Sequence, residues 1–239
     1  MEKIMSKKRV LITGGNKGIG LAVSRAMLEL GHEIIVIARD FSDFPLGGLP
    51  DVTEIECDLS KLETLPALVK EVGEVDILIN NAGYMQPKYT YDNYPVEARE
   101  HIMNVDLYAP VELINLFSEA MKKKKYGRIV NTASIAGQIG HPDVWYGIAK
   151  AGLINATKIY AKLLGADGIT VNCVAPSPTE TDMQKDNSEE RKKEFKKTVV
   201  SGRFAQAEEV AKAIVWLATD CPEYITGICL DINNCSYPR

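Results

Sequence analysis

The chain has 239 residues, a formal net charge of -4, 46% hydrophobic and 25% charged residues. Those values suit one larger α/β domain with a sizeable core, and the acidic balance argues against non-specific nucleic-acid binding. No apolar run is long enough to span a bilayer, and the basic start MEKIMSKKRV lacks the apolar segment of a secretory signal.

Short β-branched runs alternate along the chain with longer helical patterns. Strands are predicted at 10–13, 33–38, 52–57, 75–80, 128–132, 170–174 and 228–232. Helices are predicted at 21–30, 62–72, 96–125 (with Pro110 as a kink), 144–164 and 207–219. Gly31, Gly73, Gly127 and Gly165 fall at or near helix ends, where a left-handed cap favours glycine. Alternation of this kind means right-handed β-α-β crossovers and a parallel sheet with helices on both faces. The cluster KKR at 7–9 reads as a solvated lead-in to the first strand. No internal repeat or low-complexity linker is present.

The first turn carries chemistry. TGGNKGIG at 13–20 joins an apolar strand to an amphipathic helix. Gly14 permits a tight turn, and Gly18 and Gly20 leave room for a pyrophosphate against the amides of a helix start. The spacing G-x-x-x-G-x-G would by itself suit an ordinary strand-to-helix turn. Its place between a strand and a helix near the amino terminus points to a dinucleotide. The second strand ends in IIVIARD. An acidic residue at that end would favour NAD, whereas Arg39 can pair with a 2′-phosphate and Lys17 adds a second cation. Asp40 argues the other way, but the balance favours NADP(H).

The fourth strand runs into NNAG, where the backbone of Asn81 and Gly83 must approach a cofactor ribose. The fifth ends at Ser134, in GRIVNTAS, at the edge where open parallel sheets bind ligands. In WYGIAK, Tyr146 and Lys150 lie four apart on one helix face. An ammonium beside a phenol lowers its pKa, so Tyr146 can exchange a proton with a substrate oxygen. The charged run DNSEERKKEFKK at 186–197 reads as a solvated helix with i,i+4 ion pairs, placed where a substrate flap would sit, at about 178–204. KKKKYGR at 122–128 is a candidate docking patch for an acidic carrier, though cations also belong at a helix carboxyl end. The five cysteines form no CxxC pair and read as reduced thiols of a cytosolic protein, with Cys235 the one suited to exposure. The three histidines do not cluster, so no metal is expected.

Jointly, TGGNKGIG, CDLS (57–60), NNAG (80–83), Ser134, YGIAK (146–150) and VNCVAP (171–176) resemble the short-chain dehydrogenase/reductase family over essentially the whole chain. The resemblance implies a single doubly wound Rossmann domain of seven parallel strands, assembled as a dimer or tetramer. It implies that Ser134 positions a carbonyl, Tyr146 is the acid/base, and Lys150 holds the nicotinamide ribose and lowers the tyrosine pKa. Cofactor contacts are implied along Thr13, Gly14, Asn16, Lys17, Gly18, Ile19 and Gly20, then at Arg39. Asp58 matches the aspartate at the adenine amino group, next to Leu59. Asn81, Ala82 and Gly83 follow, with Tyr146 and Lys150, and finally Pro176, Ser177, Thr179 and Thr181. GITVNCVAPSPTETDM and PEYITGICLDIN are most similar to 3-oxoacyl-[acyl-carrier-protein] reductases.

Three departures stand out. NVDLYAP puts Asp106 where the family has a catalytic asparagine, with Asn104 as the other source of an amide. Ser177 replaces the usual glycine in APSPTET and is strained if its φ is positive. INNCSYPR, with Asn233 and Asn234, replaces the usual glycines after the last strand. The expected activity is hydride transfer between NADP(H) and a carbonyl or secondary alcohol, on a small or carrier-bound substrate. The alternatives are an NAD-dependent sugar or polyol dehydrogenase and a cofactor-binding regulator that has lost turnover. A substrate pocket is expected at 138–143, 84–94 and the flap.

Overall fold

The computed structural model describes residues 6–85, 89–185 and 187–239. β1 (Arg9–Thr13), α1 (Gly18–Glu29), β2 (Glu33–Ala38) and β3 (Val52–Glu56) lead to α2 (Leu65–Val72) and β4 (Ile77–Asn80). α3 (Val96–Met103), α4 (Ala109–Lys124), β5 (Gly127–Thr132), α5 (Val144–Leu164) and β6 (Ile169–Pro176) follow. α6 (Glu189–Lys196), α7 (Ala207–Ala218) and β7 (Cys229–Ile232) complete the chain. The described residues form one seven-stranded sheet in the order β3-β2-β1-β4-β5-β6-β7. Every pairing is parallel.

Helices cover both faces, and alternate strand residues feed two separate cores. Val10 and Ile12 meet Val23 and Met27 of α1 and Ile214 of α7. Leu11 faces the opposite layer, with Leu68 of α2, Phe117 of α4 and Ala161 of α5. Burial on both sides is why the strands read as continuous apolar runs. Each fully buried Leu or Ile contributes roughly 1.5–3 kcal/mol. The chain winds outward one way from β1 to β3 and returns on the other side at β4. A crevice therefore opens above the carboxyl ends of β1 and β4, the usual ligand position in such sheets.

Several local features differ from the sequence reading. The predicted helix over 96–125 is two helices joined by a π-helical turn, Asn104–Tyr108, in which the Ala109 amide donates to Asn104 O. Pro110 cannot donate and its ring would crowd the carbonyl four residues back, so the turn widens rather than kinks. Gly31 (φ 79) and Gly73 (φ 73) both follow helices with the positive φ that favours glycine, but Gly73, at ψ -155, is not in the left-handed helical conformation predicted for a cap. Lys125 (φ 53) rather than Gly127 takes that role after α4, and Gly168 rather than Gly165 takes it after α5. Arg9 is not a solvated lead-in. Its guanidinium donates to Glu33 Oε1 (2.9 Å) and to the carbonyls of Val72 (2.6 Å) and Glu74 (2.9 Å). In the basic segment 122–128, Lys122 pairs with Glu119, Lys124 with Glu74 and Asp76, and Lys125 with Asp167, while Arg128 is buried and Lys123 has no ion pair among the described residues. All five cysteines are free thiols, and Cys235 is the exposed one. Among the described residues no helix is long and apolar enough to cross a membrane.

Candidate active site

The crevice holds a cavity of about 1110 Å³. Its floor begins at the glycine turn. Gly14 (φ +63) and Gly18 (φ +54) adopt backbone that favours glycine. A β-carbon on Gly20 would lie 2.0 Å from Gly14 O, so α1 can start against the turn only with glycine there. Lys17 precedes α1 in extended conformation, and its side chain does not cap the first-turn amides. Those amides, at the positive end of the helix dipole, suit the phosphates of a dinucleotide. Thr13 Oγ1 accepts from the amides of Asn81 (3.0 Å) and Ala82 (3.1 Å). Asn81 Nδ2 donates back to Thr13 O (3.1 Å) and Gly14 O (3.2 Å). These bonds lace β1 to β4 across the crevice.

At one end of the cavity Arg39 and Lys17 are exposed and border it, and neither forms an ion pair among the described residues. Asn16 Nδ2 donates to Asp40 O at 2.8 Å. The Asp40 carboxylate is taken up by its own loop, accepting the Ser42 amide (2.9 Å) and hydroxyl (3.0 Å). Those two bonds hold it below the usual carboxylate range. Partial burial pushes the Asp58 carboxyl up, but the Ser60 amide and hydroxyl outweigh that and leave it low.

The reacting end is set by α5. Asp143 caps it, its Oδ1 accepting the Tyr146 amide at 3.2 Å. That cap puts Tyr146 in the first turn and Lys150 one turn on, on the same face. Ser134 starts the short turn after β5, its Oγ accepting the Ala136 amide at 3.1 Å, and its hydroxyl reaches the Tyr146 phenol. Lys150 Nζ donates to Thr132 O (2.9 Å) and pairs with Asp106 Oδ1 at 3.0 Å, both side chains buried, 3% and 0% exposed. It lies 5.6 Å from the centroid of the Tyr146 ring. Asp106 Oδ2 accepts the Tyr84 amide at 3.0 Å. Gly83 leaves room for the pair: a β-carbon there would lie 3.1 Å from Asp106 Oδ1.

Burial dominates the electrostatics. It pushes the Tyr146 phenol up, and the lowering by Lys150 is opposed by Asp106, so the net shift is upward rather than the lowering expected from Lys150 alone. For Lys150 burial works against charge, but Asp106 and Tyr146 together raise the ammonium above its ordinary value. Burial likewise raises Asp106, partly offset by Lys150.

Of the residues named from sequence, Ser134, Tyr146, Lys150 and most of the cofactor set border this one cavity. Asn16, Ile19, Leu59 and Ala82 are among them, as are Pro176, Ser177, Thr179 and Thr181. Thr13, Gly20 and Asp106 stand behind its wall. Asn104 does not meet Lys150; its Nδ2 donates to Ser60 O at 2.9 Å. Ser177 is not among the residues of positive φ and carries no left-handed strain, whereas Asn234 (φ 47) and Cys235 (φ 63) do adopt that conformation. Gln138, expected in the pocket, turns to Asp231 Oδ1 (2.6 Å) instead. Within the expected flap and pocket, residues 86–88 and 186 lie outside the described residues. The ion pairs of α6 are i,i+3, such as Lys192 with Glu189 at 2.8 Å, rather than i,i+4. Sequence reading placed His141 and Asp143 in the pocket segment 138–143 and Arg191 in the flap, but gave none of them an individual role. Only Asp143 had a signal: a carboxylate three before Tyr146 at a helix start.

Comparison with known proteins agrees with this geometry. Residues 14–234 match the family model adh_short_C2, described as enoyl-(acyl carrier protein) reductase. The chain is 34% identical to the 3-oxoacyl-[acyl-carrier-protein] reductase FabG of Haemophilus influenzae, over 98% of this chain and 99% of that protein. Among solved structures, a 3-oxoacyl-[acyl-carrier protein] reductase from Brucella melitensis is 28% identical with a TM-score of 0.89, covering 97% of this chain and 92% of that one. A 4-hydroxyisoleucine dehydrogenase complexed with NADH shares the fold at a TM-score of 0.91, with 24% identity, over 97% of this chain and 99% of that one. With a glycine cradle, a buried tyrosine–lysine pair and a family match over nearly its full length, the chain belongs to the short-chain dehydrogenase/reductase family of oxidoreductases.

Proposed function

We propose that the chain is an NADP(H)-dependent carbonyl reductase of 3-oxoacyl substrates, small or carrier-bound, reversible as a secondary-alcohol dehydrogenase. The observation that carries this reading is that Ser134, Tyr146 and Lys150 border the same cavity as the glycine cradle. A bound nicotinamide supplies the hydride. Tyr146 gives its phenolic proton to the carbonyl oxygen, and Ser134 donates a hydrogen bond to that oxygen. Lys150, kept charged by Asp106, stabilises the phenolate left behind. The 3-oxoacyl class comes from the Haemophilus influenzae and Brucella melitensis relatives. Loss of NADPH absorbance with a panel of ketones and β-ketoacyl thioesters tests it. Turnover of at least one thioester is the expected result. Tight NADPH binding without turnover across the panel favours the regulator reading, for which Asp106 in place of asparagine speaks.

The NADP(H) preference is supported by Arg39 and Lys17, both without ion pairs among the described residues, and by an Asp40 carboxylate already engaged by Ser42. Arg39→Asp is expected to lower the NADPH/NADH ratio of kcat/KM by about 10–100-fold, the scale of a charge-assisted hydrogen bond. An unchanged ratio removes Arg39 from the phosphate site and reopens the NAD-dependent sugar or polyol reading. A homo-oligomer is supported by apolar residues left exposed on α5, Ile148 (47%), Ile159 (48%) and Leu163 (65%). Light scattering is expected to give a dimer or tetramer, and a monomer at micromolar concentration removes that part of the reading. Residues 178–204 serve as the substrate flap, footed by the pairing of Thr179 with Ala205. Five free thiols suit a reducing, cytoplasmic setting.

A further inference from the structure

α6 borders the cavity on the substrate side, and its charges are unequally matched. Glu189 pairs with Lys192, Glu194 with Lys197, and Lys196 lies over the Phe204 ring. Arg191 has no ion pair among the described residues, yet it is half-buried and borders the cavity. Its neighbour across the cavity is His141, whose ring is 5.6 Å from that of Tyr146. The guanidinium is close enough that, after burial, it is the main group holding the His141 imidazolium down. Of the carboxylates at this end, Asp182 and Glu194 are occupied by Lys185 and Lys197, and buried Asp143, behind His141, accepts the Tyr146 amide and the Tyr94 hydroxyl.

A partly desolvated guanidinium with no counter-ion has lost hydration without regaining a partner. An anion arriving in the cavity restores that balance, and the planar fork of arginine suits a carboxylate best. Together with its place on the cavity that His141 and Tyr146 also border, this gives the substrate a chemical class. We infer that Arg191 binds a substrate carboxylate, so that among the small carbonyl compounds reduced at Tyr146 a short oxo acid in its free-acid form is preferred over its neutral ester. The inference rests on the carbonyl-reductase reading and specifies its substrate.

The test compares a 3-oxo acid with its methyl ester at saturating NADPH. In the unaltered enzyme kcat/KM is expected to favour the acid by about 10-fold or more, mostly through KM, as one charge-assisted contact would give. Arg191→Gln should bring acid and ester level, and Arg191→Lys should restore part of the preference. An ester used as well as the acid, or a preference that survives Arg191→Gln, overturns the assignment. Glutarate and its neutral diamide, titrated into the enzyme–NADPH complex by cofactor fluorescence, give a readout without turnover. A glutarate response lost in Arg191→Gln upholds the anion subsite even if no carbonyl is reduced, in which case the reductase reading fails alone. Turnover with no charge preference and no glutarate response ends the subsite and leaves the reductase reading standing. A third arm compares 3-oxobutanoyl thioesters of pantetheine and of phosphopantetheine. An Arg191-dependent preference for the phosphorylated arm, with acid and ester equal, moves the anion to the carrier arm and overturns the carboxylate assignment.

Discussion

Replacing Tyr146 with phenylalanine is expected to lower kcat by about 10²–10⁴-fold, the usual contribution of a positioned general acid. The ring stays, so the buried volume and the contact with His141 at 5.6 Å survive, and NADPH affinity should change little. What goes is one hydroxyl, within reach of Ser134 and beside a buried ammonium. The same phenol predicts a pH trend. Burial leaves it above its ordinary value in the cofactor-free protein, so alcohol oxidation, which needs the phenolate, should climb through the alkaline range. A variant that keeps a tenth or more of the original kcat, with folding confirmed by its thermal midpoint, would remove Tyr146 from the chemistry.

The second large effect belongs to Asp106. Asp106→Leu strands the Lys150 ammonium in a dry site, and breaking such a pair costs about 3–5 kcal/mol. For a chain of this size that lowers the thermal midpoint by roughly 10 °C. The pH dependence should reverse as well. In the unaltered protein the Lys150 pKa is raised on folding, so the folded state holds the proton more tightly. That stability is complete below the unfolded lysine value and is lost as pH rises through the folded one. In Asp106→Leu the buried ammonium titrates lower than in the unfolded chain, so the deficit should shrink as pH rises. Asp106→Asn is the gentler change. It removes a charge that raises Tyr146, so the phenol should titrate lower and the alkaline limb of oxidation should move to lower pH. A midpoint unchanged in Asp106→Leu would show that the pair contributes nothing to the fold, and an unmoved limb in Asp106→Asn would uncouple it from Tyr146.

The parts legible in the sequence were those governed by neighbours along the chain. Val10, Leu11 and Ile12 announce a strand because both its faces are buried, and Gly14, Gly18 and Gly20 announce a turn because side chains do not fit there. Tyr146 and Lys150 share a face by helical repeat alone. What stayed hidden depends on chain segments meeting in space. Nothing near residue 9 tells that Arg9 will find the carbonyls of Val72 and Glu74. The net rise of Tyr146 comes first from burial by segments far apart in sequence, and Asp106, forty residues before it, adds to it from behind Lys150. Arg191 looked like one cation in a solvated run because its neighbours' pairings, which leave it alone, appear only once α6 is folded.

The wide turn before Pro110 has a geometric consequence for the whole reacting end. An α-helix advances about 100° per residue. The π-helical turn at Asn104–Tyr108 inserts about one such step between buried Ile102 of α3 and buried Leu113, Ile114 and Phe117 of α4. Were the backbone there to tighten, Asp106 would swing away from Lys150 by about that angle, without a single atom of the glycine cradle having moved. A proline thus sets the azimuth of a carboxylate it never touches, and the proton chemistry inherits its alignment from a missing amide hydrogen.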